Sequence, residues 1–330
     1  MRFNYHNFLK RAKDLKKFEM DNLVYKNGKI EVLDKSKEGT LISPIVNTKK
    51  FSKLVASWSA ITSKGNTIEL MIQVLNNGKL SKYFTYGAWG LHDDNLYYNQ
   101  DDDFVCMNVD EVIMKEGFQG EGFRYKVILK NEAKLSIINV ALKLYNYTFK
   151  VEDKFLPSYV DYDVPKLNQY IVPVIGKEMC SATTSAMLLK FKGFDFSKYD
   201  SEFEHRYVAG LVADNGHKAP TYGNWVFNTA AISAFGVDSY VARQYSWEEL
   251  KYHLAKVGPV GASIRGDVGL YKTGGHLIVV RGYKIVDGKT YVLCNDPYID
   301  SRYGEGLYVY YEFPLEVFMN FHRGVIYVVE

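Results

Sequence analysis

From about residue 28 to residue 147, apolar side chains recur at every second position in short runs. Only an extended strand with one face buried satisfies that period. In "TIELMIQVL", Ile68, Leu70, Ile72 and Val74 share one face while Glu69, Met71 and Gln73 share the other. The turn signal "NNG" at residues 76 to 78 leads into "KLSKYFTYGAWG", which predicts a hairpin. Similar runs stand at "KLVASWSAI", "FVCMNVDEVI", "FRYKVILK" and "LSIINVALKLY". About eight strands with almost no helical period between them predict an all-β sandwich of two antiparallel sheets, jelly-roll-like, over residues 1–150.

After this the pattern changes. The segment "VEDKFLPSYVDYDVPKLNQY" has two prolines and little regular period, which sets a domain junction there, near residue 150. Length agrees, because 330 residues at roughly 150 per domain give about two. Residues 181 to 192 read as a helix in which Ala182, Ala186 and Leu189 recur on one face, small enough to pack closely on a sheet. "TYGNWVFNTAAISAFG" reads as a loop and a short helix stopped by Gly236. "SWEELKYHLAKVG" carries a capping box from Ser246 to Glu249 and stops at Gly258. Strands follow at "PVGASI", "HLIVVRGYKI", "TYVLCNDP", "LYVYYEF" and "GVIYVV". Helices first and an antiparallel sheet second predict an α+β domain over residues 151–330.

Charge and cysteine usage narrow the function classes. A net charge of +3 is too mild to imply a polyanionic partner, and no basic stripe is interleaved with aromatics, so nucleic acid is set aside. The three cysteines are odd in number and widely spaced in a chain too large to need staples, which argues against a disulfide framework. The basic start, "MRFNYHNFLKRAKDLKKFEMDN", reads as a solvated first helix and lacks the apolar core of a secretory signal. No stretch reaches the roughly 20 apolar residues of a membrane helix. The chain as it stands reads as soluble and unexported, and as secreted or surface-bound if a signal has been removed. "HDDNLYYNQDDD" reads as a solvated turn, lacking the spaced Asp and Gly of a calcium loop. Neither clustered metal ligands nor a phosphate-cradling loop is present, so no metal and no cofactor are expected.

The chemistry centres on Cys180, one step after a polar turn and at the head of the apolar helix. It is either a packed small hydrophobe or a nucleophile whose thiolate the helix dipole favours. A nucleophile needs a histidine as base and then acid, and a group to fix the imidazole tautomer. Of seven histidines, His276 follows two glycines and opens an apolar strand, at the mouth of a groove. His205 and His217, beside an irregular loop, remain open. "VLCNDP" ends the next strand, and the turn "VDG" at residues 286 to 288 would bring that end beside His276. Strand alternation sends Asn295 and Asp296 to opposite faces, and Asp296 is favoured as the orienting group. Cys106 and Cys294 lie within strands and read as buried. Asn224 and Trp225, in "YGNWVF", read equally as the lining of a substrate groove or as core.

The order Cys, His, Asp, with "VPVIGKEMCSATTSAM", "GNWVFNTA", "GPV", "GGHLIVVRGY" and "NDP" in sequence, resembles the C-39-like cysteine peptidases. These are papain-fold relatives of the double-glycine leader peptidases that process bacteriocins. "LVASWSAITSKGNTIELMIQV" and "YGAWG" are similar to the β-sandwich that precedes the peptidase domain in many such proteins. The resemblance implies Cys180 as nucleophile, His276 as general base and acid, and Asp296 as orienter, acting on a peptide or protein substrate. Relatives carry a glutamine shortly before the cysteine that completes the oxyanion hole, and here none lies between Gln169 and Cys180. Two other readings stay open, the first of them on that departure. One is a catalytically degenerate protein whose sandwich aromatics, Trp58 and Trp89 among them, contact a glycan, a cell wall or another protein; the other is a thiol acyltransferase.

Overall fold

The computed structural model describes residues 6–147, 155–269, 271–298 and 310–330. They are mostly β-strand with few helices, arranged in two sheets. The chain divides into two compact units, the first built from 1–147 with Ala213–Arg243 and the second from 148–212 with Gln244–Glu330. The junction expected at residue 150 lies outside the described residues. The segment 213–243 was expected in the second half, and the structure packs it with the first.

In the first unit the long strand Val46–Ile61 pairs antiparallel with Lys134–Leu144, Trp58 opposite Ile138. Gly120–Leu129 pairs with Ile68–Asn76, Tyr125 opposite Ile72. Ile68, Leu70, Ile72 and Val74 are fully buried, as a period of two requires of one face. The hairpin closes where expected, Asn76 opposite Lys79, through Asn77 at φ 47° and Gly78 at φ 74°. Two positive φ values in a two-residue loop give the twist that flanking strands need. Trp58 and Trp89 set their rings 6.4 Å apart at a tilt of 60° and are fully buried, so neither offers a platform for a sugar. The acidic stretch is engaged locally: Asp93 accepts from Gly65 N–H at 3.1 Å, and Asp103 and Asp101 pair with Lys79 and Lys115.

Two parts of this unit differ from the sequence reading. Asn7–Arg11 is a strand paired with Lys134–Leu144, and the helix after it, Ala12–Leu15, is a single turn. Phe8, set 5.3 Å from the Phe123 ring, gains more as part of a sheet than on a solvated helix. The helix Trp225–Ala234 is buried on every residue, as an apolar helix without a polar face must be. It lies on Val46–Ile61, where Ala60 N–H donates to Ser233 Oγ at 3.1 Å. Beyond it, Asn139 Nδ2 donates to the Val241 carbonyl at 2.7 Å.

The second unit orders its strands His322–Val329, Val260–Asp267, Lys272–Val286, Lys289–Asn295 and Tyr310–Pro314, all antiparallel. Of the predicted strand "LYVYYEF", residues 307–309 lie outside the described residues. Asp287 at φ 50° and Gly288 at φ 73° form the predicted turn, with Val286 opposite Lys289. The helix Cys180–Phe191 rests on the central strand through Thr184 Oγ1, which donates to the Leu277 carbonyl at 3.1 Å. A side chain at Gly261 would meet Tyr327 at 2.9 Å and Thr184 at 3.0 Å, so helix and sheet approach as closely as the small residues allow. The capping box is present at Ser246 and Glu249, opening Trp247–Lys256. The helix Glu204–Val212 was not predicted; Glu204 at its head bonds Lys190 and the Phe196 N–H, contacts that no local pattern announces.

His253, inside Trp247–Lys256, is fully buried, and neither ring nitrogen has a hydrogen-bond partner among the described residues. Burial pushes its pKa down to about 3. The unfolded chain therefore takes up a proton that the folded one refuses. Stability is intact above the unfolded value of about 6.5 and is lost as pH falls. We expect unfolding free energy to drop by about 1.4 kcal/mol per pH unit from this residue between pH 6 and pH 4. Denaturant melts across that range should show the slope, and His253→Leu should remove its share, leaving that of His322, whose pKa burial lowers to about 4.

Candidate active site

Cys180 is the first residue of its helix, preceded by Met179 without a side-chain cap, so first-turn N–H groups face outward. The thiol is half-buried. Burial alone would raise its pKa, yet the net shift is downward. The charge of His276 and its hydrogen bond to the sulfur outweigh desolvation, and backbone groups of Leu277 and Ser181 add to them.

His276 stands near the start of Lys272–Val286, opposite Ile264. Side chains on Gly274 and Gly275, just before it, would meet nothing within 4 Å, so space is open there. The imidazole Nε2 lies 2.7 Å from Asp296 Oδ1, which leaves Nδ1 to the thiol. Burial lowers the pKa of this histidine, but the Asp296 carboxylate and the Cys180 thiolate reverse the effect and push it up to about 10. Each shift favours the charged form, thiolate for Cys180 and imidazolium for His276.

Asp296 follows the strand Lys289–Asn295, which the predicted turn brings alongside His276. Asn295 points the other way, its Nδ2 donating to the Val164 carbonyl at 2.9 Å. Asp296 is buried and accepts the Tyr298 N–H at 2.8 Å on Oδ1 and the Tyr271 hydroxyl at 2.5 Å on Oδ2. These two tyrosines were missed by sequence reasoning. Their signal is weak, a tyrosine after "NDP" and another ahead of "TGGH".

The remaining candidates are placed elsewhere. His205 Nε2 meets the Asn168 carbonyl at 2.9 Å, and burial lowers its pKa. His217 lies in the first unit, 3.6 Å from Asp214. Cys294 is buried with its thiol pKa pushed well up by desolvation. Asn224 and Trp225, read as possible groove residues, also belong to the first unit and are 1% and 6% exposed. Asn224 caps its helix by accepting the Phe227 N–H at 3.1 Å, and the Trp225 N–H bonds Asp110. Both serve that unit's packing because the segment 213–243 folds with it. Gln169 Nε2 donates to the Gly176 carbonyl at 2.7 Å, a bond that commits its amide within the turn before the helix.

A peptidase-like fold presenting a cysteine, a histidine and an aspartate in this order defines the class to which the second unit belongs. Residues 162–316 match the Peptidase C39 like family, and residues 12–140 match the Peptidase C39 N-terminal domain. By these matches residues 162–316 form a domain of the C39-like peptidase family, and residues 12–140 the N-terminal domain found with such peptidases. Among solved structures it is similar to a double glycine motif protease from an AMS/PCAT transporter, in complex with the leader peptide, at 19% identity and a TM-score of 0.32 over 52% of this chain and 93% of that one. It is similar also to digestive procathepsin L 3 of Tenebrio molitor larval midgut, at 15% identity and a TM-score of 0.31 over 56% of this chain and 73% of that one. No curated protein matches the chain. Among the described residues, no helix is long and apolar enough to cross a membrane.

Proposed function

We propose that the protein is a cysteine peptidase in which Cys180 is the nucleophile, His276 the base and acid, and Asp296 the group that orients the imidazole. The peptidase domain is papain-like α+β, and a jelly-roll-like sandwich precedes it. The observation that carries this reading is the 2.7 Å contact between His276 Nε2 and Asp296 Oδ1, on a histidine whose charge lowers the pKa of Cys180 at the head of its helix. The thiolate attacks the peptide carbonyl, forming a C–S bond as the carbonyl π electrons move onto oxygen. The Cys180 N–H at the helix head faces that developing charge. Collapse of the intermediate breaks the C–N bond while the imidazolium gives its Nδ1 proton to the leaving amine. Water then gives a proton to His276 and adds to the thioester, releasing the acid and the thiolate.

With the Gln169 amide bonded to Gly176, a second oxyanion donor has to come from elsewhere. Lacking one would cost on the order of 10² to 10³ in rate. The test is incubation with a mixed peptide library, quenched in acid and read by intact-protein mass. We expect cleaved peptides and an acyl adduct on Cys180, neither of them with Cys180→Ala. A wild-type protein that gives no product and no adduct on any peptide would overturn the reading.

The engaged Gln169 also favours a second reading, a non-catalytic protein that binds glycans or proteins through its sandwich. It predicts no turnover together with a rise in Tm on adding cell-wall fragments. Transfer of the acyl group to an amine instead of water would appear as a product of altered mass when amine is added.

A further inference from the structure

Asp296 has two carboxylate oxygens, and only Oδ1 faces the imidazole. A carboxylate turns readily about its last bond, with broad two-fold preferences. An oxygen left free inside the site would draw water and compete for that orientation. Here Oδ2 accepts the Tyr271 hydroxyl at 2.5 Å, a charge-assisted bond of the short kind. The Tyr271 ring is itself held in place. It stacks on Tyr298 with centroids 4.3 Å apart and stands edge-on to His276 at 5.8 Å. Tyr298 meets Tyr170 edge-on at 4.9 Å, and its N–H binds the other oxygen of the same carboxylate.

We propose that Tyr271 is a positioning residue of the thiol site: its hydroxyl holds the second oxygen of Asp296 so that the carboxylate stays on His276, and its ring keeps water from that bond. The proposal rests on the peptidase reading, and Tyr271 acts through Asp296 rather than on substrate. Burial, the Asp296 charge and the hydrogen bond all raise the tyrosine's pKa, so the hydroxyl remains a donor throughout the working range. The titratable groups that bear on the histidine and its carboxylate are Asp296, Cys180, Tyr271, Tyr298 and, through Asp296, Cys294.

The experiment follows the rate of Cys180 alkylation by iodoacetamide against pH, in the full chain, for wild type, Tyr271→Phe, Asp296→Asn and the double variant. Phenylalanine keeps the ring and removes only the hydroxyl. The wild type should show two steps, a lower one where Cys180 ionises against the imidazolium and an upper one near pH 10 where His276 loses its proton. In Tyr271→Phe the imidazolium is held less firmly, so the lower step moves up and the upper step moves down, each by about half a pH unit or more. Peptide kcat should fall about tenfold with KM unchanged. On the Asp296→Asn background, Tyr271→Phe should add nothing. Two-step profiles that superimpose for wild type and Tyr271→Phe would overturn the role of Tyr271 alone, as would an equal shift in both backgrounds. A wild type with a single step in the ordinary thiol range, indifferent to His276→Ala, would instead remove the thiolate–imidazolium site and the proposal with it.

Discussion

In a His276→Ala protein, peptide hydrolysis at pH 7 should fall by about 10⁴-fold, and Cys180 should titrate as an ordinary thiol with a pKa near 8.5. Two losses combine. General acid and base catalysis contributes about 10² to 10⁴, and an unassisted thiol is only a few per cent ionised at neutral pH. The signs follow from the two shifts. The Cys180 pKa is depressed, so its thiolate is present above that lowered value and lost as pH falls through it. The His276 pKa is raised to about 10, so the proton needed by the leaving amine is present below that value and lost above it. Activity in the wild type should therefore trace a bell with its alkaline limb near pH 10. The variant should lose the bell and keep only a rise through the thiol range. Alkylation rates and kcat/KM against pH check both statements, and a variant with an unchanged acid limb would show that the histidine does not govern the thiol.

The largest effect on stability is expected at Gly282, on the strand that carries His276. An added Cβ would lie 2.0 Å from the Val160 carbonyl oxygen and 2.9 Å from Asp161 Cα, both backbone atoms unable to swing aside. Gly282 pairs with Asp161, and the Tyr162 N–H donates to the neighbouring Arg281 carbonyl at 3.0 Å. Alanine must either detach Tyr159–Asp161 from the sheet or displace the central strand. We expect Gly282→Ala to cost about 3 kcal/mol, at the upper end for overpacking, and to lower Tm by roughly 6 to 12 °C. Gly274→Ala is the matched control on the same strand, because its Cβ would touch nothing within 4 Å. A thermal melt in which the two variants behave alike would show that Tyr159–Asp161 does not press on the strand at residue 282.

Much of the site could be read before any coordinates. The head of Cys180–Phe191 follows from a polar turn before an apolar run, and the place of Asp296 follows from the turn at residues 286 to 288 and the alternation of Asn295 and Asp296. Each is a signal spanning a few residues. Tyr271 stayed hidden because its meaning lies in a bond to Asp296, and the tyrosine has no local pattern to mark it. The two groove candidates stayed open for the same reason. "YGNWVF" shows a helix start, yet whether that start lines a groove or packs a core depends on Asp110, whose carboxylate bonds the Trp225 N–H from 115 positions away.

By itself, then, the sequence determined the period-two strands from residue 28 onward, the two-residue turns at Asn77–Gly78 and Asp287–Gly288, the capping box at Ser246 and the nearness of Asp296 to His276. These depend on backbone preferences and side-chain alternation, which neighbouring residues set among themselves. Only the tertiary structure decided that 213–243 folds with the first unit, that Glu204–Val212 is a helix, and that Asp296 is held on both oxygens. Those outcomes depend on burial and on hydrogen bonds between distant segments, and such contacts are won by whichever surfaces fit once the chain has folded.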